Sequence, residues 1–187
     1  MTCSKNKIDI FHKIFTRCTA PTLKYLKPSS LVCLPQELKA DNIKIISDKL
    51  EMQYMYKYNK CEFVFIYNRK MLEELIKQDE IFELLSSYSY PQDQNLDLFL
   101  EHLKNRLTAF TQAKTNYPHE IGLFLGYPYL DVKDFIGKNK TCCFSGYWKV
   151  YNNPFKAKKI MQDYTNAKEQ VLSLESSGQR YYEITGI

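Results

Sequence analysis

Residues 50–67, LEMQYMYKYNKCEFVFIY, constrain the fold more than any other stretch of this 187-residue chain. Leu50, Met52, Tyr54 and Tyr56 alternate with Glu51, Gln53 and Lys57, the period-two pattern of a strand with one apolar face. After the turn YNK, the segment CEFVFIY is apolar on both faces apart from Glu62, so it reads as the more buried strand of a hairpin. A hairpin with a two-sided apolar strand must be covered on both faces, and most of the remaining chain has helical periodicity. The expected fold is therefore α+β: one domain over residues 1–187, with a small, mainly antiparallel sheet and packed helices. Apolar residues at 44% and aromatics at 14% exclude a wholly disordered chain.

Ile8, Phe11, Phe15 and Cys18 recur at helical spacing, which predicts a first helix ending before Pro21, with LVCL as a short buried strand beyond it. Residues 36–49 read as a helix, although NIKII would also suit a strand. RKMLEELIKQDEIFELLSSY reads as one helix or a pair, and Leu96, Phe99, Leu100, Leu103, Leu107 and Phe110 form the stripe of a further one. Asn153 and Pro154 open a long helix carrying Ile160, Met161, Tyr164, Ala167 and Val171. The tail SSGQRYYEITGI reads as a loop with a last strand.

The N-terminal segment has neither the apolar core nor the cleavage site of a secretory signal, and no apolar run approaches the ~20 residues of a membrane span. A cytoplasmic location is expected. In that compartment the six cysteines would stay free, most of them as small buried hydrophobes. Net charge is +5, and between Gly137 and Ile160 there are six lysines and no acid. Such a run suits phosphates or acidic partners, or simply forms a solvated face.

The densest chemistry lies in NYPHEIGLFLGYPYLDVKDFIGKNKTCCFSGYWKVY, residues 116–151, which holds four of the six glycines and the only tryptophan. Pro118, Gly126, Pro128 and Gly137 punctuate a helical hairpin over 118–137, hinged at GYP, with Asp131 in the first turn of its second helix. The second helix lacks the basic, polar face of a DNA-reading element, so nucleic acid is not expected as a partner. His119 and Glu120 fall at the start of the hairpin. The plainer reading is capping; the functional one makes His119 an acid/base with a neutral imidazole, or a metal ligand. CCFSGYWKVY reads as one strand, with Cys142, Phe144, Trp148 and Val150 on a core side and Cys143, Ser145, Tyr147, Lys149 and Tyr151 on a polar side. Nearby lysines would activate the Cys143 thiol; otherwise it is a half-buried, inert one. Gly146 marks a bulge or a close approach. There is no C-x-x-C, so a Cys/His metal site would have to gather distant residues such as Cys18, His119 and Cys143. Glycine-rich phosphate loops, nucleophile elbows and the H-E-x-x-H pattern are absent.

PHEIGLFLGYPYLDVKDFIG followed by GYWKVYNNPFKAKKIMQDY resembles the signature of a family of uncharacterised bacterial proteins, common in anaerobic Firmicutes and classed as a domain of unknown function. The resemblance extends to CTAPTLKYLKPSSLVCL and FVFIYNRKMLEELI and so covers nearly the whole chain. It marks Cys18, Lys27, His119, Glu120, Asp131, Trp148, Lys149 and Tyr151 among the family's recurrent positions. This chain departs from the pattern in Thr19, inserted before APTL, and in lacking the family's late cysteine near Tyr164 or Thr165. The family brings no established activity, cofactor or substrate; association of its members with iron-uptake and flavodoxin genes is compatible with metal or redox work.

Two functions of different class follow. In the first, a binding or regulatory module uses Lys149, Tyr147, Tyr151 and His119 to hold an anionic small molecule or the acidic segment of a partner protein. In the second, a metal- or thiol-dependent redox protein or enzyme uses His119, Glu120 and Cys143 as catalytic groups, with Cys18, His119 and Cys143 as metal ligands. The sequence names no cofactor.

Overall fold

The structure is a computed structural model that describes residues 2–36, 49–138 and 140–179, with side chains from residue 13 onward. Its elements run α1 (Thr2–Leu23), β1 (Ser29–Pro35), β2 (Glu51–Tyr58), β3 (Cys61–Tyr67), α2 (Arg69–Ile76), α3 (Asp79–Ser86), α4 (Leu96–Thr111), α5 (Ile121–Phe124), α6 (Tyr129–Gly137), β4 (Phe144–Ser145), β5 (Lys149–Val150) and α7 (Pro154–Ser176). The reading of residues 37–48 and the strand expected in the tail lie outside the described residues, as do the side chains of the expected stripe positions Ile8 and Phe11.

The fold is α+β. Three antiparallel strands lie in the order β1-β3-β2, so the doubly apolar strand is the central one. Val64 and Ile66 of β3 face one side, where they meet Val32 and Leu34 of β1, Phe15, Ala20 and Leu23 of α1, and Val171 of α7. Phe65 and Tyr67 face the other, where the core continues through Leu72 and Ile76 of α2 and the stripe Leu96, Phe99, Leu100, Leu103 and Leu107 of α4. The sheet is thus the middle layer between α1/α7 and α2–α4, which is what a two-sided apolar strand requires.

The β2–β3 turn is two residues long, with Asn59 at φ 54°. Strict alternation fails inside β2. Tyr54 pairs with Val64 and Tyr56 with Phe63, so Met55 is the extra residue of a bulge. The bulge carries Tyr56 off the face shared by Leu50 and Met52 and stacks it on Phe63 at 4.4 Å.

Three other expectations are corrected. Pro21 does not stop α1, which continues to Leu23. So near a helix end a proline forfeits a single backbone bond, and Ala20, Thr22 and Leu23 around it are fully buried or nearly so. The cysteines are not mostly core: Cys18, Cys33 and Cys143 are exposed, Cys61 and Cys142 half-buried, and all five are free thiols. On α1 the inward stripe is Phe15, Thr16, Thr19, Ala20 and Leu23, which turns Cys18 outward, and in β1 alternation buries Val32 and Leu34 and leaves Cys33 outside. Finally, CCFSGYWKVY is not one strand, and it lies outside the three-stranded sheet. It folds back on itself at Gly146–Trp148, pairing Phe144 with Val150 and Ser145 with Lys149. Its two sides survive that fold: Trp148 and Val150 are buried, whereas Cys143, Ser145, Tyr147 and Lys149 are exposed. No helix among the described residues is long and apolar enough to cross a membrane.

Candidate functional site

The segment after α4 turns at Pro118–Glu120 into α5, a single turn that ends where Gly126 takes φ 77°. Glycine is required there twice over, because a Cβ would also come within 2.5 Å of the Pro28 ring. Pro128 precedes α6 with an extended ψ of 131°, and Lys138 takes the left-handed conformation just after Gly137. The helical hairpin expected from the Pro/Gly punctuation is present, although its first helix is shorter than the sequence suggested.

Asp131, in the first turn of α6, is 2% exposed and collects four N–H donors. Oδ2 accepts from Trp148 Nε1 at 2.7 Å; Oδ1 accepts from the amides of Tyr151 at 2.9 Å and Asn152 at 2.8 Å and from Asn152 Nδ2 at 3.2 Å. Asp134, one turn on, accepts from Asn152 Nδ2 and Lys140 Nζ, both at 2.7 Å, and these contacts hold its carboxyl below the usual carboxylate range. The two acids therefore clamp the β4–β5 hairpin onto α6.

Between hairpin and helix lies a cavity of about 380 Å³. Its aromatic walls are Tyr117, Tyr127, Phe135, Tyr147 and Trp148, with Ile121, Leu125 and Val132 as further apolar lining. Tyr127 stacks on Trp148 at 5.5 Å, and Tyr147 meets Tyr164 edge-on at 5.4 Å. Trp148, Val150, Ala157 and Tyr164 form a separate small core beneath the hairpin. Gly146, another lining residue, is approached closely by a side chain: a Cβ there would lie 2.5 Å from Met161 Sδ.

His119, Tyr147 and Lys149 all line this cavity. The His119 ring stands edge-on to Phe135 at 4.9 Å and lies 5.5 Å from Tyr117. Burial pushes its pKa below the usual 6.5, the Lys138 charge acts in the same direction, and Glu120 opposes them. Lys149 Nζ sits 5.5 Å from the centre of the Phe135 ring and has no carboxylate partner among the described residues.

The other sequence candidates lie elsewhere. Glu120 is fully buried and does not line the cavity; its Oε1 pairs with Arg106 Nε and accepts from Tyr90 Oη at 3.3 Å, while Oε2 has no hydrogen-bond partner. Its job is to tie the 118–121 turn to α4. Tyr151 is held through its backbone by Asp131 and is not part of the lining. Cys143 is exposed, with its Sγ 3.7 Å from Tyr151 O, and also lies off the cavity. Cys18 has Lys168 and Lys27 as its charged neighbours, and burial nevertheless raises its pKa. Among the described residues no three His, Cys, Asp or Glu side chains gather closely enough to hold a metal ion, so Cys18, His119 and Cys143 share no site.

Sequence reasoning missed Asp131 as the organising carboxylate and the aromatic residues as cavity walls. One signal for the first was available: a tryptophan that is the only one in the chain and is placed in the core needs an acceptor for its indole N–H. Lys27, marked by the family resemblance but given no role there, is a second omission. Its side chain is 9% exposed, its Nζ lies 5.9 Å from the Tyr127 ring and 6.0 Å from the Tyr164 ring, and burial lowers its pKa to about 8.

Fold and site together define a small α+β protein with an aromatic-walled, cation-edged cavity built by a helical hairpin and a β-hairpin. The chain belongs to the family described as Protein of unknown function (DUF3793), whose model matches residues 15–185. No curated protein and no solved structure matches it.

Proposed function

We propose that the protein is a binding or regulatory module that holds a small anionic molecule in the cavity between α6 and the β4–β5 hairpin. The observation that carries this reading is the convergence of His119, Tyr147 and Lys149 on one aromatic-walled cavity. An ammonium group without a carboxylate partner at such a wall is an unspent charge, and a bound anion would complete it. The volume of about 380 Å³ lies at the small end of the roughly 300–1,000 Å³ typical of ligand pockets, which favours a metabolite over the acidic segment of a protein. The lysines of the 137–160 run would raise the local concentration of anions around the mouth. Location in the cytoplasm and membership of a bacterial lineage fit this reading and are part of the proposal.

A thiol- or metal-dependent redox role, with or without a link to iron metabolism, has less behind it. The Cys18 thiol is shifted away from reactivity, and Cys143 and Glu120 stand apart from His119's cavity.

Thermal-shift screening against a panel of anionic metabolites tests the proposal. Saturable stabilisation that disappears in a Lys149→Ala, His119→Ala double variant is expected; hits that persist undiminished in that variant would refute the site.

A further inference from the structure

Resting on the reading above, we infer that the cavity's ligand is a flat aromatic acid of one or two rings, its ring system held among Tyr127, Phe135 and Trp148 and its carboxylate at Lys149. Three observations converge on this class. The apolar part of the lining is dominated by rings rather than branched aliphatics, and ring faces and edges reward a planar partner beyond simple area burial. Tyr127 and Trp148 stack with their planes inclined by only 26° and their centroids 5.5 Å apart, a near-parallel pair that a planar ligand would extend. The charge is not at the centre of this wall but at its edge, where Lys149 Nζ lies over Phe135 and His119 stands against the same ring. A ligand with a planar apolar body and a peripheral anion matches that division.

The opposite assignment must be weighed, because aromatic walls beside an aspartate also suit a cation such as a quaternary ammonium. Here the aspartate, Asp131, itself part of the lining, is already engaged: Oδ1 accepts three N–H groups and Oδ2 accepts the Trp148 indole, four donors from the β4–β5 hairpin and the residues after it. Lys149 at the wall, and Lys138 near enough to act on the His119 charge, would repel a cation entering the cavity. Aliphatic polyanions are disfavoured for a different reason: one ammonium and a largely neutral imidazole cannot compensate several charges, and a lining dominated by rings gives a solvated chain little to exchange for its water.

Calorimetric titration of the full chain with four probes decides the matter: 2-naphthoate, cyclohexanecarboxylate, citrate and phenyltrimethylammonium. Naphthoate is expected to bind at least tenfold more tightly than each of the others, to lose about tenfold in Phe135→Leu, which keeps the apolar volume but removes the ring, and to lose more in Lys149→Ala. Circular dichroism of both variants confirms that they fold. Equal binding of cyclohexanecarboxylate or citrate would overturn the aromatic assignment while leaving an anion site in place. Preference for phenyltrimethylammonium, or no binding by any of the three acids, would overturn both the assignment and the anion-binding reading on which it rests.

Discussion

Asp131 and Trp148 are joined by a 2.7 Å hydrogen bond from the indole Nε1 to Oδ2, and this contact fixes the β4–β5 hairpin against α6. Replacing the acid by its amide turns one group of donors against an N–H₂. Asp131→Asn is therefore expected to destabilise the fold by roughly 2–4 kcal/mol, since charge-assisted hydrogen bonds are lost and buried donors left unpaired. Urea denaturation gives the loss, and a red shift of the single-tryptophan emission reports the loosened wall. A neutral outcome in both would mean that the clamp lies elsewhere.

The buried pair Glu120–Arg106 has a different signature. Arg106 is partly solvated, whereas Glu120 is fully enclosed with one oxygen already unpartnered. Arg106→Met strands a buried charge and should cost about 3–5 kcal/mol, whereas the double change Arg106→Met, Glu120→Gln should recover part of that loss. A double-mutant cycle measures the coupling; strict additivity would show that the pair is not an energetic unit.

Two glycines of the site should differ in their tolerance of alanine. At Gly126 the new methyl meets the rigid Pro28 ring at 2.5 Å on a backbone with φ 77°, so nothing can yield cheaply. At Gly146 the obstacle is the flexible Met161 thioether. Gly126→Ala is expected to lower stability by about 2 kcal/mol or more, and Gly146→Ala by clearly less. Similar melting temperatures for the two variants would contradict the geometry.

Lys27 makes stability depend on alkaline pH. Its folded pKa of about 8 lies below the ordinary 10.5, so at neutral pH the amine is charged in both states and the folded protein bears the cost of burying it. Between pH 8 and 10.5 the folded state sheds this proton first, and stability gains as pH rises. The shift corresponds to at most about 3 kcal/mol. Lys27→Met should therefore be stabilising at pH 7, with an advantage that shrinks towards pH 10, when denaturation curves of the two proteins are compared. A gap independent of pH would point to packing alone.

His119 provides a direct reading of the cavity. Its pKa is depressed by burial, so a proton NMR titration should find a midpoint below 6.5 in the free protein. The unfolded chain then takes up its proton first as pH falls, and this contribution to stability is lost through that range. A bound anion favours the imidazolium, so the midpoint should move upward on binding and affinity should strengthen as pH drops. An unchanged midpoint in saturated protein would place the anion away from His119.

The reach of the sequence differs from one segment to the next. The β2–β3 hairpin, the α4 stripe from Leu96 to Leu107 and the Asn153–Pro154 start of α7 are local patterns, set by spacing and by capping chemistry within a few residues, and all three are present, the hairpin with its alternation broken at Met55. The two sides of CCFSGYWKVY were equally legible, because alternation survives whether the segment pairs with the sheet or with itself. Which of those pairings occurs was not, since a strand's apolar pattern states that it must be covered and says nothing about by what. The bulge at Met55 was hidden for the same reason: only the neighbouring strand defines where a residue is extra.

Sequence alone thus determined the α+β class, the helical hairpin at 118–137 and the neighbourhood in which to look. Tertiary structure decided that Cys18 and Cys143 stand apart, that Glu120 belongs to the core, and that His119, Tyr147 and Lys149 share a cavity. The reason is physical: periodicity records which face of an element is apolar, whereas a site depends on contacts across the chain. Asp131 takes its donors from residues 17 to 21 positions away, and nothing in its own helical turn announces them.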